Sequence, residues 1–321
     1  MIARALWLVL LLICAAPTLA GLLAPLHPPA DFLNHFRPFV AAGAIVLLAA
    51  ALTVRAPGPV WGSAALLVGL NAALLALPLW WSAEPAERPT SGQAQASARE
   101  RDLTLVTFNI AYGDAQAVAA FLLREDADIA VLQEVGARQL IELRALLRHR
   151  YPHSHACVAR GCAAAIFAKR AWTAAGQEHW TQNVPETIWV QLDDPEIGRL
   201  RVVGVHLALP YRAVAQTRHV ERLIALRASF AGPAIVAGDF NMTPWSYRLQ
   251  RLLAATGLRR HATFLRSWPT DRYPQPRPPA PAFLIDHVLT TPGIRSVSIR
   301  TGPVVGSDHL PVVARLRLPP A

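Results

Sequence analysis

The sequence predicts an α/β domain, sheets inside and helices outside, carried behind an apolar N-terminal region. Three observations carry this reading. Hydrophobic residues make up 53% of the 321 residues, more than soluble domains usually hold, and the excess is concentrated in the first quarter of the chain. A polar stretch, SAEPAERPTSGQAQASARER (Ser82–Arg101), then breaks the texture. Beyond it, strand-like and helix-like runs intermix, the pattern of packed α/β layers. The chain therefore divides into a membrane region over 1–81, a flexible linker over 82–101 and a folded domain over 102–321.

The N-terminal region holds three apolar runs: Ala5–Leu26 without a charge, Pro38–Val54 between Arg37 and Arg55, and Val60–Trp81 ending in two tryptophans. About 20 apolar residues suffice for a helix to cross a bilayer, and tryptophan suits the interface, so about three transmembrane helices are expected. The first run also reads as a secretory signal peptide, because APTLAG (Ala16–Gly21) offers the small residues of a cleavage site; the other two would then form a membrane hairpin. Arg4 and Arg55 inside against Arg37 outside give a thin positive-inside bias. Both readings place the domain outside the cytoplasm: a multi-pass inner-membrane protein with its folded part on the periplasmic side. The spans carry no acid or lysine, which argues against a transporter.

The linker is rich in Pro, Ser, Gln and Ala, a composition that resists packing. Leu103–Ile110 (LTLVTFNI) reads as a strand, Ala115–Glu125 as a helix, Asp128–Val135 (DIAVLQEV) as a buried strand and Ala137–Arg150 as an amphipathic helix. Strands follow at Ala163–Lys169, Thr187–Leu192 and Arg199–Leu207, then a helix over Arg212–Phe230. Ala234–Phe240 (AIVAGDF) is a strand, and a helix begins at Pro244 with Thr243 as N-cap. Pro269–Phe283 is of low complexity and predicts a long surface loop. Three strands close the chain, at Phe283–Thr291, Ser296–Arg300 and Pro311–Leu318.

Cys14 lies in the first apolar run, while Cys157 and Cys162 flank VARG. That spacing suits a disulfide across a tight hairpin in an oxidising compartment, and equally two buried thiols; a metal site would need a second cysteine pair. The net charge of +10 suits phosphate-bearing partners or an anionic membrane. Lys169 is the only lysine among many arginines, however, which points to codon composition as a second source of the basicity.

The polar residues are informative by position. Asn109, Glu134, His206, Asp239 with Asn241, Asp286 with His287, and Asp308 with His309 stand at the ends of apolar strands. Each alone reads as a cap, a turn or a satisfied core residue. Together they place costly acids and imidazoles where α/β proteins gather their sites.

The ordered set TFNI, LQEV, VHL, GDFN, IDHV and SDHLPV, spread over Leu103–Leu318, resembles the endonuclease/exonuclease/phosphatase superfamily with the deoxyribonuclease-I-like fold. The resemblance implies a four-layer α/β sandwich, two mixed sheets flanked by helices, and a phosphate-ester hydrolase that uses magnesium or manganese. It implies Glu134 as principal metal ligand, completed or supported by Asn109 and Asp308. It implies His309 facing the phosphate with Asp286 behind it, Asp239 on the attacking water, Asn241 on a phosphate oxygen and His206 on the phosphate or leaving group. His287 should point away from the site, and LALPYR (Leu207–Arg212) and the Pro/Arg-rich loop should flank it. Because neighbours on a strand face opposite ways, Asp308 and His309 can share one site only across a bend. Nucleic acid, a phospholipid and a small phosphodiester remain the candidate substrates, and the lipid bilayer a partner of the apolar helices. The alternative is a catalytically silent binding protein of the same fold.

Overall fold

The computed structural model describes residues 2–82, 101–111, 113–229, 232–270 and 282–319. Nearly all of the expected linker and the middle of the Pro/Arg-rich loop lie outside them. The N-terminal helices are α1 (Ile2–Leu22), the short α2 (Asp31–Asn34) preceded by a 3-10 turn at Pro28–Ala30, α3 (Arg37–Thr53) and α4 (Gly58–Ser82). By length and composition α1 and α4 can each cross a membrane; α3 counts only together with Pro28–Asn34, from which it is bent by 59°. Between α1 and α4, Asn71 Nδ2 donates to Thr18 Oγ1 at 3.1 Å, so two polar groups satisfy each other inside the bundle.

The first sheet has the order β11-β12-β1-β2-β4-β3. Its strands are β1 (Arg101–Asn109), β2 (Ile129–Gln133), β3 (His153–Ala159), β4 (Cys162–Ala168), β11 (Arg295–Thr301) and β12 (Val312–Leu318). The second has the order β5-β6-β7-β8-β10-β9. It is built from β5 (Ala174–Glu178), β6 (Glu186–Asp194), β7 (Gly198–His206), β8 (Ala234–Asp239), β9 (Arg259–Arg260) and β10 (Asp286–Thr290). Both sheets are mixed. β1–β2 and β7–β8 pair in parallel and the other strands are antiparallel. Each parallel pair needs a crossover, supplied by α5 (Ala115–Glu125) and α7 (Ala213–Ala228).

The period-2 alternation of the strands builds the layers. Leu105, Val131, Val202 and Ile235 meet between the sheets. Phe108, Leu132 and Phe121 pack the first sheet against α5 and α6 (Ala137–Leu147). Val203, Val236 and Leu249 pack the second against α7 and α8 (Tyr247–Thr256). The result is the expected α/β sandwich, two mixed sheets flanked by helices. Cys157 and Cys162 close the β3–β4 hairpin as a disulfide with Cα atoms 5.6 Å apart.

Two expectations are corrected. The helix expected from Pro244 starts three residues later, at Tyr247, and Thr243 is not its cap. The cap comes from the N-terminal region: Asp31 accepts from Ser246 Oγ at 2.7 Å and from the backbone N–H groups of Tyr247 at 2.7 Å and Arg248 at 3.2 Å. The second concerns Asp308 and His309, expected at the end of an apolar strand: they precede β12 in a bend, as sharing one site requires.

Candidate active site

Topology collects the polar residues. Parallel neighbours end at the same edge, so the C-terminal ends of β1 and β2 bring Asn109 beside Gln133 and hence near Glu134. The ends of β7 and β8 put His206 beside Asp239. β10 runs antiparallel to β8 and opens with Asp286 opposite Asp239. The two sheets contribute from facing edges, and the bend before β12 closes the ring: Ser307 Oγ donates to Asn109 O at 2.8 Å, and His309 N donates to Ser307 Oγ at 3.0 Å.

Asn109 bridges the two sheets. Its amide donates to Glu134 Oε1 at 3.0 Å and to Asp239 Oδ2 at 3.2 Å, while its Oδ1 accepts from Ala111 N at 3.1 Å. Asn109 thus orients both carboxylates. His206 Nε2 stands 3.7 Å from Glu134 Oε1 and 3.7 Å from Asp239 Oδ2. His309 Nδ1 donates to Asp286 Oδ2 at 2.9 Å, and its Nε2 faces Asp239 Oδ2 at 3.8 Å. Asn241 donates its backbone N–H to Asp239 Oδ1 at 2.8 Å, and its side-chain amide is held on Leu207 O at 2.9 Å. Glu134 and Asn241 have φ of 55° and 53°, a left-handed conformation that persists in non-glycine residues where the surroundings enforce it.

The electrostatics follow from burial and like charge. Burial, then the Asp286 carboxylate, pushes Asp239 up to about 6 against the pull of His309 and His206. Burial opposes a charge on His309, yet Asp286 and then Asp239 outweigh it and raise the imidazole to about 10. His309 is therefore a cation held between two acids. His287, next to Asp286 in sequence, does turn away: its Nε2 donates to Met242 O at 2.7 Å, and burial pushes it down to about 3.

Six predicted residues therefore form one connected cluster: Asn109, Glu134, His206, Asp239, Asp286 and His309. Asn241 borders it through its backbone N–H. Asp308 stands apart from Glu134 in its hydrogen bonding, with Oδ2 accepting the Trp268 indole N–H at 3.2 Å. Supporting residues that the sequence did not signal are Ser307, Trp268, Ser267, which accepts from Asp286 N at 3.2 Å, and Glu186. Glu186 lies opposite His206 on β6, is buried, and has its carboxyl raised by burial against the pull of His206.

The donor set fits a hard divalent cation. Glu134 is 40% exposed at the mouth of the cluster, its carboxylate already oriented and open to water, as a magnesium site that keeps several waters requires. Asp239, Asp286 and His309 also place ligand atoms within 4.8 Å of one another.

Comparison with known proteins agrees with this geometry. The sequence model described as "Endonuclease/Exonuclease/phosphatase family" matches residues 106–309. Comparison with curated proteins finds no match. Among solved structures, an endonuclease/exonuclease/phosphatase protein from Bacteroides vulgatus is 20% identical with a TM-score of 0.57, covering 68% of this chain and 99% of its own. Sphingomyelinase C from Streptomyces griseocarneus is 19% identical with a TM-score of 0.52, covering 67% and 99%. D. rerio TDP2, complexed with a single-strand DNA product, is 15% identical with a TM-score of 0.55, covering 67% and 98%. At these identities the likeness is one of fold.

Proposed function

This chain belongs to the endonuclease/exonuclease/phosphatase family, and from that membership and the geometry of the cluster we propose that it is a membrane-anchored, divalent-metal-dependent phosphoesterase. The observation that carries the reading is the buried His309–Asp286 pair at 2.9 Å facing Asp239 across 3.8 Å, a cation and an acid aimed at one point. Glu134 would hold magnesium or manganese, with Asn109 orienting its carboxylate and Asp308 at the periphery. The bound ion supplies Lewis-acid polarisation of the phosphate and neutralises charge on it.

The chain's own residues supply the rest. The His309 imidazolium, fixed by Asp286, donates to a phosphate oxygen. Asp239, held near neutrality in its proton affinity, accepts a proton from the attacking water. Asn241 and His206 line the two flanks, where an amide and an imidazole can hydrogen-bond the phosphate and the leaving group. Nucleic acid, phospholipid and small phosphodiesters all present the group this arrangement addresses. The solved neighbours named for sphingomyelin and DNA chemistry support that breadth.

We also propose that α1, α3 and α4 cross the membrane, which leaves Asp31 and the domain on one side, and that this side is extracytoplasmic, supported by the Cys157–Cys162 bridge. The functional test is hydrolysis of an aryl phosphodiester by the full chain in detergent while magnesium is titrated. Glu134→Gln is expected to raise the metal concentration needed for half-maximal activity by at least ~10-fold, since an amide oxygen is a weaker ligand for a hard cation. Activity that ignores chelator in the wild type would overturn the metal reading.

A further inference from the structure

Where the helical bundle meets the α/β domain, a cavity of about 280 Å³ opens between Gly21, Asn34, Arg37, Leu74, Leu77 and Trp245. Its α4 side is apolar, and Leu77 is half-exposed toward the outside of the bundle. Its other side is polar. Arg37 is only 6% exposed, yet among the described residues no acid lies within ion-pair distance of its guanidinium and no hydrogen bond satisfies it. Beside it, Asn34 Oδ1 is buried and has no donor. Arg37 also opens α3, whose N-cap Phe36 gives no side-chain cap, so the positive end of that helix adds to the same field.

The one acid whose charge Arg37 feels, Asp31, is already engaged by Arg248, Ser246 and Tyr247; a buried guanidinium so placed is costly, and a phosphodiester matches its planar fork with two acceptor oxygens. A head-group hydroxyl next to that phosphate would satisfy Asn34 Oδ1, and an acyl chain would leave along Leu74 and Leu77. The Trp245 indole, tied to Leu75 O at 3.4 Å, lines the same cavity and is the kind of side chain that meets lipid head groups. We infer that this cavity binds the head group of an anionic phospholipid such as phosphatidylglycerol, with the phosphodiester on Arg37 and a hydroxyl on Asn34. None of Glu134, Asp239, Asp286 and His309 lines the cavity, so the lipid is held there and not hydrolysed. By touching Trp245 and Tyr247 from below, it fastens the catalytic domain to the bundle. The inference rests on the membrane reading of the helices and is independent of the phosphoesterase reading.

The test uses the full chain, stripped of lipid in detergent and returned to nanodiscs of phosphatidylcholine with or without phosphatidylglycerol. Native mass spectrometry should retain one phosphatidylglycerol per chain, and Tm should rise with its concentration as linkage requires. Inorganic phosphate alone should do neither. Arg37→Met should weaken retention by at least ~10-fold, the loss of a charge-assisted bidentate contact. Gln250→Glu, a near-isosteric change in the cavity wall, brings a carboxylate to the site without removing the arginine, and should also compete the lipid away. It decides the matter if Arg37→Met does not fold. Equal retention of phosphatidylcholine, equal stabilisation by free phosphate, or undiminished binding in Gln250→Glu would overturn the proposal. Release of the wild type from membranes by carbonate would remove the bilayer premise and the proposal with it, leaving the phosphoesterase reading untouched.

Discussion

At the scale of the residue, the His309–Asp286 pair makes the firmest predictions. General acid–base groups contribute about 10²–10⁴ in rate, so His309→Ala should lower kcat about 10³-fold with the fold retained by circular dichroism. Asp286→Asn should act through the same imidazole. If the two work as one unit, the double variant is little slower than His309→Ala alone, and full additivity would separate them. The pair also sets a pH dependence. His309 is raised to about 10 in the folded chain, whereas a free imidazole titrates near ~6.5. Its stabilisation is therefore complete below about pH 6.5 and is lost as pH rises toward about 10. Metal-free wild type should lose Tm over pH 7–10 more steeply than His309→Gln; parallel curves would show that the imidazolium is not held as described. Most of this site was legible in the sequence because strand ends are signalled by apolar runs that stop at Asn109, Glu134, His206 and Asp239. Ser307, Ser267 and Trp268 were not, because a serine or tryptophan in a loop carries no sign of which backbone it will meet.

At the scale of the element, α8 is the instructive case. Local sequence rules place its start at Pro244 because they recognise only a local cap, and the cap is Asp31, 216 residues before Tyr247. Asp31 is fully buried, pairs with Arg248 at 3.4 Å and caps two N–H groups. Breaking a buried pair costs about 3–5 kcal/mol, but Arg248 keeps Gln216 Oε1 at 2.7 Å and Thr217 Oγ1 at 2.9 Å. Asp31→Ala should therefore destabilise the full chain by about 3 kcal/mol, the low end of that range, read by thermal unfolding in detergent. An unchanged Tm would mean that the N-terminal segment does not dock. Strand β8 gives a second prediction. Gly238 has φ +150°, and a Cβ there would stand 2.0 Å from Val205 O. Gly238→Ala must push β7 and β8 apart beside Asp239, and should yield either no folded protein or one with activity reduced far more than its Tm. The central strands were legible because alternation and length are strong signals. β5 and β9 were not, since AAGQE and RR have neither.

At the scale of the whole molecule, the catalytic domain is not a free passenger. His35 Nδ1 accepts from Thr243 N at 3.3 Å, Phe36 and Phe39 pack edge-on against Phe283, and Arg260 reaches Pro78 O at 3.2 Å. Phe283 stacks on Trp268, which holds Asp308. Excising residues 102–321 removes the contacts made by Asp31, His35, Phe36, Phe39 and Pro78, and with them the cap of the Asn241–Arg248 segment. The excised domain should show fast amide exchange at Tyr247 and Arg248 and a lower Tm than the full chain; matching protection in both would make the contacts incidental. The remote cap also has a meaning in time. A ribosome delivers Asp31 long before it makes Tyr247, so the receptor for α8 is already in place when that helix is born. If α1, α3 and α4 span a membrane, a chain in which α3 failed to insert would hold Asp31 and Tyr247 on opposite faces, and α8 would be left uncapped beside Asn241. Completion of the helical bundle would thereby be a condition for a capped α8 next to the cluster.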